Sequence, residues 1–115
     1  MSLPQTVKGL QGSCVRIPCS FTLAPEYEAS LDYSCNAQWF KDFKEGPVFD
    51  TSLAGGQNLY QGELVGNLLT RNCTTIFHNL PAFKSKLFFR IDCLYGLRYN
   101  YATGVMVDVK GSYFG

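Results

Sequence analysis

Few side chains in this sequence can do chemistry: five cysteines, one histidine and an arginine set among aromatic residues. An odd cysteine count in a small domain of secreted type leaves one thiol for a partner outside the domain. In Gly12-Ser13-Cys14-Val15-Arg16-Ile17-Pro18-Cys19-Ser20-Phe21, the residues Val15, Ile17, Cys19 and Phe21 share a parity, so in an extended strand they face one side. Cys14 and Arg16 face the other. A buried disulfide can therefore use Cys19 but not Cys14, unless a bulge intervenes, and Cys14 is expected to look outward towards a partner absent from this chain. A metal site needs clustered ligands, and the sequence has no Cys-x-x-Cys and only His78 as an imidazole, so no metal is expected. A cysteine nucleophile would need a base, and no Ser-His-Asp arrangement is evident, so the expectation is no enzyme. His78 reads as an ordinary residue at a strand end.

Arg90 carries the second kind of chemistry. If Leu87, Phe89 and Ile91 point into a core, Phe88, Arg90 and Asp92 point out of the sheet. A guanidinium in mid-strand has its rotamers restrained by neighbours and presents a planar pair of donors that matches a carboxylate. Two readings stay open on position alone: a carboxylate receptor, or a surface arginine paired with Asp92 or packed under Tyr99.

The elements that must hold these residues are short β-type runs between turn-rich stretches, with no sustained helical period. The runs are Val7 with Leu10, then Cys14 to Thr22, Cys35 to Lys41, Pro47 to Thr51, Leu64 to Leu68, Cys73 to Phe77, Leu87 to Cys93 and Tyr99 to Val109. Eight or nine strands at this spacing predict a β-sandwich, and a Cys followed about twenty residues on by Trp39 predicts its immunoglobulin version. At 46% hydrophobic and 15% aromatic residues, the 115-residue chain has enough apolar surface for one core, hence a single domain over 1–115. A formal net charge of +1 gives no general field to recruit nucleic acid or an anionic membrane, so anion recognition must be local. No apolar run is long enough to span a bilayer and no signal peptide precedes Gln5. Met1-Ser2-Leu3 reads as an expression start, and the expectation is an excised N-terminal fragment of a longer extracellular receptor.

Gly12-Ser13-Cys14-x-x-Ile17-Pro18-Cys19, Trp39-Phe40, Gln61-Gly62, Arg71-Asn72-Cys73-Thr74 and Phe88-Phe89-Arg90-x-Asp92 follow one another in an informative order. Over nearly the whole chain this resembles the N-terminal V-set domain of Siglecs, the sialic-acid-binding immunoglobulin-like lectins. The resemblance implies an all-β immunoglobulin V-set β-sandwich with an intrasheet disulfide. Phe89 stands where ordinary V-set domains carry the strand-F cysteine, and the family pattern instead pairs Cys19 with Cys73 and bonds Cys14 to a following immunoglobulin domain. It also implies that Arg90 binds the carboxylate of sialic acid, that Tyr99 packs on the glycerol tail of the sugar, and that Asn100 and Tyr101 offer backbone hydrogen bonds. The function implied is a cell-surface lectin domain on the ectodomain of a single-pass membrane protein. Its partners would be sialylated glycans of glycoproteins or glycolipids, bound for adhesion or immune signalling, with no cofactor and no nucleic acid. The alternative is a V-set receptor domain that takes a protein ligand through the same sheet.

Further expectations come from register. Setting Trp39 opposite Phe89 and moving four residues along each strand brings Cys35 opposite Cys93, which predicts a second disulfide near the loop end of the sheet. Tyr99 shares parity with the core-facing Val105, Val107 and Val109, so an outward Tyr99 requires a bulge, and Gly104 marks the place. The arginine and aspartate that usually clasp the end of V-set domains are replaced by Glu63 and a residue near Phe83, with Lys84 beside it, so the pair is either inverted or lost. Asn72-Cys73-Thr74 is an N-glycosylation sequon on the sheet opposite Arg90.

Overall fold

Alternating apolar residues dictate the layers. The structure, a computed structural model, describes residues 1–111 and contains eight strands among them. They are β1 (Thr6–Leu10), β2 (Val15–Ile17), β3 (Asn36–Phe40), β4 (Phe49–Asp50), β5 (Gly62–Leu64), β6 (Thr75–Phe77), β7 (Phe83–Asp92) and β8 (Arg98–Lys110). One sheet runs β1-β8-β7-β3-β4 and the other β2-β6-β5. β1 lies parallel to β8, whereas the other pairs are antiparallel. This is the immunoglobulin V-set sandwich. Every run expected from the sequence contains a strand, but the Leu64 to Leu68 run leaves the sheet after Leu64 and turns into a short 3₁₀ segment at Leu68–Thr70. A second 3₁₀ segment, Pro25–Ser30, lies in the loop ahead of β3.

Trp39, Phe77, Phe89, Leu87, Ile91, Val105 and Val107 form the fully buried centre. Phe89 fills the place of an inter-sheet bond with rings: its centroid lies 5.4 Å from that of Trp39, 5.7 Å from Phe21 and 5.9 Å from Tyr101. Trp39 Nε1 donates to Thr75 Oγ1 across the sheets at 2.9 Å, so the indole is buried without an unmet donor.

Two disulfides are present, Cys19–Cys73 and Cys35–Cys93. The first ties the end of β2 to the start of β6 within the smaller sheet, where Cys73 N also donates to Cys19 O at 2.9 Å. The second ties the residue before β3 to the residue after β7 within the larger sheet. Neither crosses between sheets. At the sandwich end where a charge pair was sought, Lys41 Nζ lies 4.8 Å from the ring centre of Phe83 and 5.2 Å from that of Tyr60. Glu63 turns instead to His78 and Lys84 is exposed, so the pair is lost rather than inverted, and a cation against two rings occupies its place.

Candidate functional site

The outer face of the larger sheet is built in rows by strand register. Phe40 pairs with Phe88 and Phe88 with Gly104; Gln38 pairs with Arg90 and Arg90 with Asn100; Asn36 pairs with Asp92 and Asp92 with Arg98. An aromatic row thus lies beside two polar ones. The Phe88 ring covers Gly104, where an added Cβ would stand 2.7 Å from Cε1 of the ring. Phe43 packs 5.7 Å from Phe88 and 5.1 Å from Phe40, which completes an apolar wall next to Arg90.

Arg90 sits on β7, between β3 and β8, with its side chain 24% exposed. Its Nη1 donates to Asn100 Oδ1 at 2.7 Å, and its Nε lies 3.7 Å from Asp92 Oδ2. Asp92 is closer to Arg98, whose Nε lies 3.2 Å from Oδ1. Two guanidinium groups therefore share one carboxylate, and the row carries an excess of one positive charge in a chain of formal net charge +1. Gln38 is drawn the other way, its Nε2 donating to Asp50 Oδ2 at 2.8 Å.

The bulge expected near Gly104 is present, but it does not turn Tyr99 to the Arg90 side. Phe88 pairs with Gly104 and Arg90 with Asn100, so two extra residues of β8 are accommodated opposite Phe89. An even insertion preserves parity, whereas a single extra residue would have inverted it. Tyr99 consequently pairs with the core residue Ile91 and extends the core's aromatic stack, its ring 4.7 Å from that of Tyr101. It remains 53% exposed because it caps the end of that stack. Tyr101 is buried, and its hydroxyl donates to Thr22 O at 2.9 Å. Burial first, and then the neighbouring Tyr99, push the Tyr101 phenol up to about 12. The structure therefore brings Arg90 and Asn100 together and sets the Tyr99 and Tyr101 side chains on the other face of β8.

Tyr99 and Tyr101 line a groove with Thr22, Leu23, Tyr27 and Thr103. β1 pairs with β8 only from Met106 onward, so residues 98–105 form a sheet edge beside Arg90, and the residues of the bulge are also out of the β7 ladder.

On the opposite sheet, Asn72 is exposed next to the Cys19–Cys73 bond, and its Oδ1 accepts from Thr74 N at 3.0 Å. Cys14 is exposed and has no cysteine partner among the described residues. The structure also reveals a cluster that the sequence reading passed over. Cys14 Sγ lies 3.1 Å from His78 Nδ1, and His78 Nε2 lies 3.4 Å from Glu63 Oε1. Counting five residues back from Cys19 and five on from Cys73 reaches these two positions, so the pairing of Cys19 with Cys73 already held the signal.

No family model matches the chain. In sequence it is similar to the myelin-associated glycoprotein, a Siglec: 27% identical to that of Mus musculus and 26% to that of Homo sapiens, in each case over 93% of this chain. The chain is a Siglec-like immunoglobulin domain. It spans 18% of the length of these relatives. In fold, the Siglec-like domain is similar to the first immunoglobulin domain of the mouse polymeric immunoglobulin receptor, with a TM-score of 0.58, 13% identity and coverage of 98% of this chain and 96% of that one. Murine CRIg aligns with a TM-score of 0.52 at 8% identity over 97% and 96%.

Proposed function

We propose that this Siglec-like domain is an extracellular lectin module of a cell-surface receptor, binding terminal sialic acid through Arg90. The observation that carries the reading is the placement of Arg90: mid-strand on an open sheet face, braced by Asn100 and sharing Asp92 with Arg98. Exposed ion pairs are worth only about 0–1 kcal/mol, so a ligand carboxylate displaces Asp92 from Arg90 at little cost. Arg90 then offers it two parallel N–H donors while Asp92 stays with Arg98. The sheet edge of β8 supplies peptide groups for the hydroxyl and amide groups of the sugar, and Tyr99 contributes from the rim. A carboxylate sugar bound in this way undergoes no reaction.

A second reading, a receptor domain for a protein ligand, draws on the apolar residues at the loop end of the same sheet. Tyr33, Leu94 and Tyr95 are 94%, 64% and 67% exposed there. Saturation-transfer NMR with sialyllactose on the domain and on Arg90→Ala separates the two. The lectin reading expects transfer to the sialic acid protons that is absent in the folded variant. Equal transfer in both, or no preference over neutral lactose, refutes it.

A further inference from the structure

The three-stranded sheet turns one row of chemically linked side chains to solvent. Val15 pairs with Phe77, so the next residues outward, Cys14 and His78, face each other; Gly62 pairs with the same Phe77, and His78 N donates to Gln61 O. In the adjoining row Arg16 and Glu63 flank Ile76. The contacts are therefore set by the register of three strands rather than by a single side-chain rotamer. Thiol to imidazole is 3.1 Å and imidazole to carboxylate is 3.4 Å, the order nucleophile, base, orienting group. The remaining four cysteines are bonded, so Cys14 is the thiol available to this arrangement.

We propose that Cys14, His78 and Glu63 form a thiol–disulfide exchange site that joins this domain covalently to an accessible disulfide. As Cys14 Sγ attacks one sulfur of the incoming disulfide, its proton passes to His78 Nδ1, and Glu63 holds the ring through Nε2. A new S–S bond forms at Cys14, the old S–S bond breaks, and the departing sulfur takes the proton back from His78. Two thiol electrons enter the new bond and two leave with the departing thiol, so no outside oxidant is required. The site is independent of the sialic acid reading, being on the other sheet.

The test is the rate of mixed-disulfide formation with oxidised mercaptoethanol, a neutral disulfide, followed by intact mass on the domain, His78→Gln, Glu63→Gln and Cys14→Ser. Circular dichroism confirms each fold. At pH 7, where an ordinary thiol of pKa about 8.5 is mostly protonated, the parent should react at least about tenfold faster than His78→Gln. Glu63→Gln should fall between them, and Cys14→Ser should not react. At a pH about one unit above that ordinary value, a thiol ionises without help, and the ratio of parent to His78→Gln should shrink towards about one. The charged side chains on this face, Arg16 and Glu63, are unchanged in His78→Gln, so a shrinking ratio reports the base. Equal rates at pH 7, or the same ratio at both pH values, would overturn the proposal.

Discussion

At the residue scale the decisive contrast is between Arg90 and Tyr101, two polar side chains handled in opposite ways. Arg90 is held at the surface by bonds that a ligand can replace, so its function depends on the shape of its head group. Arg90→Lys should impair sialoside binding nearly as much as Arg90→Ala, because an ammonium keeps the charge but cannot supply two parallel donors. A bond to a charged group is worth about 1.5–3 kcal/mol, and an open sheet offers a single sugar little else, so affinity near millimolar, about 4 kcal/mol, would lose most of its measurable part. Titration of sialyllactose by NMR on both variants checks this, and a lysine variant that binds as the parent does contradicts it. Tyr101 is instead locked inside, donating to Thr22 O. Its phenol is raised from 10.0 to about 12. A raised folded value means that its contribution to stability is whole below about pH 10 and is lost as pH rises through about 12. Spectroscopic titration should show one tyrosine ionising well after the others, and Tyr101→Phe should remove that late step.

At the scale of elements, β8 shows what the pattern in the sequence could and could not reveal. The need for an irregularity near Gly104 was legible, because Tyr99 and the valines share parity and the glycine interrupts them. Its size was not, since one extra residue and two look alike in a one-dimensional pattern, yet they send Tyr99 to opposite faces. Cys35 and Cys93 were legible because Trp39 opposite Phe89 fixes a whole antiparallel register. The same arithmetic applied to Cys19 and Cys73 would have exposed Cys14 beside His78, but it was not carried past the cysteines themselves. Gly104 also has a packing role: a methyl group there would lie 2.7 Å and 2.9 Å from two atoms of the Phe88 ring. Gly104→Ala should therefore cost about 1–3 kcal/mol through overpacking. The cost should largely vanish when Phe88 is already alanine, because the two positions share one contact. Denaturant unfolding of the two single variants and the double gives the coupling. Strict additivity would show that Gly104 matters for its backbone alone.

For the whole molecule, each disulfide ties one sheet to itself, and what joins the sheets is packing: Phe89 among Trp39, Phe21 and Tyr101, with the Trp39 to Thr75 hydrogen bond. The two bonds close loops of similar length, with separations of 54 and 58 residues. Loop-closure entropy then assigns each roughly 4 kcal/mol of stabilisation, against a total of about 5–15 kcal/mol for a domain of this size. Replacing both Cys35 and Cys93 by serine should lower Tm by more than about 10 °C yet leave a cooperative unfolding transition, because Cys19–Cys73 still constrains the unfolded chain and the inter-sheet core is untouched. Reducing both disulfides removes a sum close to the whole stability, so the reduced domain should lose its cooperative transition. Thermal unfolding followed by circular dichroism, with and without reductant, distinguishes these cases. If the serine variant is already unfolded at room temperature, the core between the sheets is too weak to hold them without the second staple. If full reduction leaves Tm unchanged, the packing around Phe89 alone holds the fold and the disulfides serve only to position the loops beside Arg90.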